Sequence, residues 1–254
     1  LSQQNSRNEL ALFWRYDYLL DFTKDTAEIY NAYKKGLPPE LQKTYLAKVN
    51  AKHIRALGIR WSPKFQVNKK LNILPGFNFL RGETFTDGSV QGSTRFIGSG
   101  FSKNDFGNTA INVNYHYDRP LLHEKDLDWD PKTPVGYGAS LDLKLEYTPS
   151  IQSSLVLHLY DIFGKIYWQH APKTQYEFDY KPKPQSYNLT GALAIDDRYT
   201  QELPMCATFT ADFNKTNPWR AGFNLQTNQY VWLGQIYVGR QYINYLTKLI
   251  IEPQ

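Results

Sequence analysis

Residues 10–22 read Leu-Ala-Leu-Phe-Trp-Arg-Tyr-Asp-Tyr-Leu-Leu-Asp-Phe. In an extended chain successive side chains point to opposite faces. One face then carries Leu10, Leu12, Trp14, Tyr16, Tyr18, Leu20 and Phe22. The other carries Ala11, Phe13, Arg15, Asp17, Leu19 and Asp21. The run is also long beside the usual globular strand of about 5–6 residues. A wholly apolar face backed by three charges is the pattern of a strand that turns one side to a bilayer.

The same alternation returns along the chain. Leu57, Ile59 and Trp61 alternate with Ala56, Gly58 and Arg60, and Leu71, Ile73, Pro75, Phe77 and Phe79 with Asn72, Leu74, Gly76 and Asn78. Thr109, Ile111, Val113, Tyr115 and Tyr117 oppose Ala110, Asn112, Asn114, His116 and Asp118. Tyr137, Ala139, Leu141, Leu143, Leu145 and Tyr147 oppose Gly138, Ser140, Asp142, Lys144 and Glu146. Three further runs, at 175–180, 207–213 and 219–226, behave alike, and weaker ones lie at 90–101, 154–162, 188–196 and 229–239. The expectation is about 12 strands within 8–239, plus or minus about two.

Between them, short connections rich in Pro, Asn, Lys or Ser (62–69, 102–108, 148–153, 181–187, 214–218) alternate with longer ones (23–53, 81–89, 119–135, 163–174, 196–204). Tight turns at one rim and longer loops at the other give that alternation in an antiparallel barrel, and twelve strands put both chain ends at the short-turn rim. Segment 24–50 has helical spacing at Ile29, Tyr33 and Leu37, with Pro38-Pro39 opening a second helix through Lys48. Tail 240–254, with Ile243, Leu246 and Ile250 three to four apart, predicts a short helix.

Composition narrows the class. The chain has 254 residues, 15% of them aromatic, and lacks the run of about 18 apolar residues that a transmembrane helix needs. It begins at Leu1 without a basic-then-apolar leader and is read as a mature or excised chain. Cys206 is the lone cysteine, which excludes a disulfide framework and a cysteine-based metal site. The formal charge of +5 is spread along the sequence, so no nucleic-acid partner is expected.

On these residues the chain resembles the bacterial outer-membrane β-barrel proteins, at the level of the class and over about 8–239. The resemblance implies one all-β domain over 1–254. It would be a single closed antiparallel transmembrane β-barrel of about 12 strands, with a helical insertion after the first strand. It also implies a bacterial outer-membrane location. Such barrels usually end on a strand with a terminal aromatic residue, whereas this sequence ends Leu249-Ile-Ile-Glu-Pro-Gln.

The inward face holds the candidate chemistry. Arg15, Arg60, Arg95, Lys144 and Arg220 are expected there beside Asp17, Asp21, Asp142, Glu146, Glu177 and Asp212, with His116 among them. Guanidinium groups hold carboxylates and phosphates bidentately, so the first reading is a porin-like channel passing a small polar, anionic solute. The ten pore-lining positions are Arg15, Asp17, Arg60, Arg95, His116, Asp142, Lys144, Glu146, Asp212 and Arg220. The same charges equally make an ion-pair network filling a narrow barrel. That gives the alternative: a non-conducting module of a secretion or surface-assembly system, with 24–50 docking a protein partner. A soluble periplasmic barrel or sandwich binding lipid or glycan is the further alternative, its charged face solvated.

Other motifs carry less. Asp126-Leu-Asp128-Trp-Asp130 begins like a calcium loop, but Pro131 stands at the glycine position and Tyr137 at the terminal glutamate position. His116 and His158 are expected near Ser140 and Asp142, yet Gly-x-Ser-x-Gly is absent. Sequons at Asn188 and Asn214 are read as chance matches. No enzyme, cofactor or metal is therefore expected. Trp14, Tyr16, Tyr18, Trp61, Tyr115, Tyr117, Tyr147, Tyr180, Trp219, Tyr230 and Trp232 are expected in an interfacial aromatic belt.

Overall fold

The computed structural model describes residues 2–5, 8–121, 123–214, 218–228, 231–242 and 245–251. Its strands are β1 (Ser2–Asn5), β2 (Asn8–Phe22), β3 (Thr44–Pro63), β4 (Phe65–Asn68), β5 (Leu71–Phe96), β6 (Phe106–Tyr117) and β7 (Val135–Ser150). They continue with β8 (Ser153–Pro182), β9 (Gln185–Glu202), β10 (Cys206–Phe213), β11 (Trp219–Asn228), β12 (Trp232–Tyr242) and β13 (Tyr245–Ile251). One helix, α1 (Lys24–Lys35), follows β2. Every ladder is antiparallel, and all strands belong to one sheet. The chain is all-β.

Two very long strands organise the sheet. Along one edge β5 pairs with β3, from Trp61↔Phe77 up to Thr44↔Arg95. Its other edge is shared: β7 pairs with Leu71–Gly82 and β6 with Thr86–Phe96. β8 has the same design, meeting β7 and then β6 on one edge, and β10 and then β9 on the other. β6 and β7 thus lie end to end between β5 and β8, and the loop joining them leaves from the middle of the sheet. Among the described residues no ladder joins β13 to β1 or β2.

The sheet curls strongly. Arg15 on β2 reaches Asp161 on β8, and the Gln201 amide on β9 donates to the His53 carbonyl on β3 at 3.1 Å. The concave side is buried. Ile54, Ala56, Leu80, Phe85, Ile166, Trp168, Ala171 and Leu203 form a continuous cluster there, joined by Phe13 and Tyr199. Glycines make room for the rings: Gly58 lies beneath the Phe13 ring, and Gly82 and Gly136 beneath Trp168. The convex side carries exposed apolar residues, Trp14 at 63% among them, along β2, β3, β5 and β7.

The structure corrects several expectations. Residues 81–89 and 163–174 are not connections; they continue β5 and β8 through irregularities. Opposite Arg55/Ala56 the register shifts so that Glu83 is extra, and Asp161, Phe163 and His170 take positive φ. These bulges bend a strand without ending it. The second helix through Lys48 does not form, because β2 and β5 both recruit 44–63 as a strand between them. Nor does the tail become a helix: β13 pairs with β12 from Ile236↔Ile251 to Tyr242↔Tyr245, and Ile243 lies outside the described residues. Among the described residues the chain forms thirteen strands, divided differently from the dozen expected within 8–239, with β1 and β13 outside that span.

α1 is built as its sequence requires. Thr23 caps its N-terminus by accepting from the Thr26 amide, and Gly36 ends it at φ 62°. Asp25 then accepts from the Leu46 amide at 2.7 Å, and the Lys43 ammonium donates to Glu28 at 2.5 Å. The hydrogen bond from Lys43 holds the Glu28 carboxyl below its ordinary 4.5, and the same contact holds Lys43 above 10.5.

Two outcomes follow. The Glu28–Lys43 contribution is complete between about pH 4.5 and 10.5. A depressed carboxylate loses its contribution as pH falls through its folded value. Amide exchange of α1, corrected for intrinsic rates, should therefore rise relative to β3 below pH 4.5, and Glu28→Gln should abolish that pH dependence. A valine at Gly136 would place Cβ 2.6 Å from Cε3 of Trp168. Gly136→Val should cost about 1–3 kcal/mol, read as a lowered unfolding midpoint, since a packed core resists added volume.

Candidate functional site

The concave face brings together a chain of polar groups below the apolar cluster. The Arg15 guanidinium donates through Nη1 to Asp161 Oδ1 at 2.6 Å and through Nε to Asp17. Asp161, at φ 57°, turns its backbone N–H to Asp142 Oδ1 at 3.0 Å. The other Asp142 oxygen lies 2.8 Å from Arg60 Nη2. Arg60 Nε donates to Asn78 at 2.9 Å, and the Asn78 amide to Ser140 at 3.0 Å. One network therefore ties β2, β3, β5, β7 and β8 across the interior. Arg15 and Asp161 are 13% and 10% exposed, so little water competes for the pair.

The remaining expected residues are scattered. Lys144 and Lys64 flank Glu146 at 2.7 and 3.8 Å, one step nearer the β7–β8 turn. Asp212 accepts from the Tyr237 hydroxyl and lies 3.5 Å from Ser154 Oγ. Arg220 sits half-buried at the start of β11. Arg95 is exposed at the far end of β5, well away from Arg15 and Arg60. His116 is above the apolar cluster, 2.8 Å from Asp196 and stacked on Tyr199. His116 pairs with Lys173, while His158 lies near the other end of β8, opposite Lys144. His116 therefore shares no site with Ser140 and Asp142, whereas His158 lies within electrostatic reach of Asp142, Arg60 and Lys144. Glu177 accepts from Asn112 at 3.3 Å, and Asp21 from Asn50 at 3.1 Å.

Sequence reasoning missed Asp161 and Trp168, which join distant strands across the concave face. Asp161 lay in a weak strand whose face assignment fails at a positive-φ residue. Trp168 lay in a segment read as a loop. It is fully buried, stacks on Phe85 at 4.2 Å and donates to Gln201 at 3.1 Å. Tyr115 and Tyr117 do face outward as expected, but they are buried under the 118–134 loop rather than free for a belt. Glu124 meets the Tyr115 hydroxyl, and the Trp129 indole donates to the Tyr117 hydroxyl at 2.8 Å. Tyr230 lies outside the described residues.

Above the apolar cluster the concave face opens into a trough of about 580 Å³. Its floor is two adjacent rows across β3, β5, β6 and β8, with Lys48, Gln91, Asn112 and Glu177 in one and Leu46, Ser93 and Asp179 in the next. Among the described residues no group of three or more histidine, cysteine or acidic side chains is arranged to hold a metal ion. No family model, curated protein or solved structure matches this chain.

Removing one partner of a buried pair strands the other charge. Arg15→Met should therefore destabilise the fold by about 3–5 kcal/mol, while adding Asp161→Asn, which removes one stranded charge and keeps a residue suited to φ 57°, should recover part of that loss. Denaturant titration of the four members of the cycle measures it.

Proposed function

We propose that this chain is an outer-membrane β-barrel with an occluded interior, serving as a membrane-seated module rather than as a diffusion pore. The carrying observation is the inverted partition of the sheet. Its exposed convex face is apolar, and its buried concave face holds the ionic network. A face this large and apolar is unusual on a soluble monomer.

The dimensions support the bilayer reading. On β7 the convex residues Ala139, Leu141, Leu143 and Leu145 are bounded by Tyr137 and Tyr147. That interval is roughly 33 Å along the strand, or about 25 Å at a tilt near 40°, the height of the apolar band of such barrels. Trp219 and Trp232 bracket Ala221, Phe223 and Leu225 in the same way on β11 and β12. On β3 the convex face carries one charged group, Arg55, which stacks over Trp14 and donates to Glu83 at 2.7 Å, while Tyr16, Tyr18, Leu20 and Phe22 continue the exposed face of β2 beyond it. No helix among the described residues is long and apolar enough to cross a membrane, so the crossing falls to strands.

At the level of this band the order is β1-β2-β3-β5-β7-β8-β10-β11-β12-β13, ten strands of alternating direction. An even count is what closure of β13 against β1 requires of an antiparallel barrel. β6, β9 and the upper half of β5 rise beyond the band as an extension. The interior is filled by Phe85, Trp168, Ile54 and Leu80, and its arginines are neutralised by Asp161, Asp17 and Asp142. An anion path needs unpaired cations along an open bore, so the module reading is preferred. The channel reading keeps one favourable feature, the polar trough above the cluster, which has the form of a vestibule.

Purified protein should partition into detergent, migrate faster on a gel before heating than after, and stay silent in a planar bilayer. Steady anion-selective current from the unmodified protein would establish the channel instead. Solubility without detergent would defeat both membrane readings.

A further inference from the structure

The 118–134 loop does more than cover Tyr115 and Tyr117. Its far half stands away from the sheet and encloses a cavity of about 670 Å³ between Asp128–Thr133 and the convex face at Val135, Gln169, His170 and Ile195. The volume lies within the usual range of small-molecule sites. The convex side is fixed by register: Val135 pairs with Gln169, and Val135 shares a face with exposed Tyr137.

The wall is chemically composed. Trp129 is half-buried, and its indole N–H is already committed to the Tyr117 hydroxyl, which fixes the plane of the ring while the rest of the side chain lines the cavity. Asp128 and Asp130 flank it, both exposed, and among the described residues neither carboxylate is in an ion pair. Lys132 is likewise exposed without an acidic partner, and Gln169 and His170 form the opposite wall. A pinned aromatic surface beside unengaged acceptors and donors suits a ligand with one apolar ring face and a rim of hydroxyls. A phosphate would be repelled by the two aspartates, and an aliphatic ligand would leave them unused.

We propose that this cavity is a saccharide site, with a pyranose ring stacked on Trp129 and its hydroxyls donating to Asp128 and Asp130. Its place in the fold offers two sources for the sugar. Tyr137 and Tyr167, two residues along from Val135 and Gln169 of the cavity wall, are exposed on the same convex face. If that face lies in a bilayer, the sugar headgroup of an outer-leaflet glycolipid reaches the cavity without leaving the membrane. A free saccharide reaches it equally well, so only the lipid source rests on the membrane reading.

The test uses the detergent-purified chain on an array of immobilised hexoses, N-acetylhexosamines and heptoses. In parallel, its flotation is measured with phosphatidylethanolamine vesicles lacking or containing lipopolysaccharide. Binding to at least one saccharide is expected, weakened at least about tenfold by Trp129→Ala and by Asp130→Asn, and retained by Trp129→Phe, which keeps the stacking surface. Enrichment on lipopolysaccharide vesicles without array binding assigns the lipid source, and array binding assigns the free one. Array binding by a protein that needs no detergent keeps the site and removes the membrane reading. No saccharide binding in either arm, or binding indifferent to Trp129→Ala and Asp130→Asn, overturns the proposal.

Discussion

The contact between Arg15 and Asp161 holds the molecule in its curled form. Measured along the sheet, β2 and β8 are separated by β3, β5 and β7, roughly 19 Å if the sheet were flat. Their side chains nevertheless meet, so the sheet must bend until the gap is one arginine long. The pair is nearly dry, which makes it costly to leave half-formed. Asp161 cannot be replaced by a neighbour in the strand, because its positive φ is what aims its carboxylate at Arg15 and its N–H at Asp142. Curvature, the ionic network and the bulge in β8 are thus one feature seen at three scales.

Apolar packing takes over where the charges end. Gly58, Gly82 and Gly136 lack the atoms that would keep Phe13 and Trp168 away from the opposing backbone. Trp168 then lies flat on Phe85 and spends its indole N–H on Gln201, whose own amide reaches the His53 carbonyl. No buried polar group in this sequence of contacts is left to water. A wide aqueous bore and this arrangement are incompatible at the same level of the curled sheet.

Much of the sheet was legible in the residues because period-two alternation is a local signal. The face assignments of β2, β7 and β11 follow from it directly, as do Arg15, Asp17, Arg60 and Asp142 on the concave side. The length of β5 and β8 was not legible. At Glu83, Asp161, Phe163 and His170 an extra residue or a positive φ resets the alternation, and the sequence then reads as a strand, a loop and another strand. Trp168 was lost with that error. The Pro38-Pro39 start and the helical spacing of the tail were weak signals, and pairing with waiting strand edges outweighed them. Arg95 shares the right face yet stands at the wrong height, which parity alone cannot detect.

The end-to-end placement of β6 and β7 explains why a loop can serve the convex face at all. A connection leaving from a rim would point away from the sheet. This one leaves from its middle, where Asp118 takes the place of the next strand residue by bonding both the N–H and the carbonyl of Phe85. The loop must then lie along the convex surface, and Tyr115, Tyr117 and Thr174 supply the hydroxyls that fasten it. The loop thereby sets Asp128, Asp130 and Lys132 beside the apolar convex residues Val135 and Ile195, so one cavity offers polar and apolar walls to the same ligand.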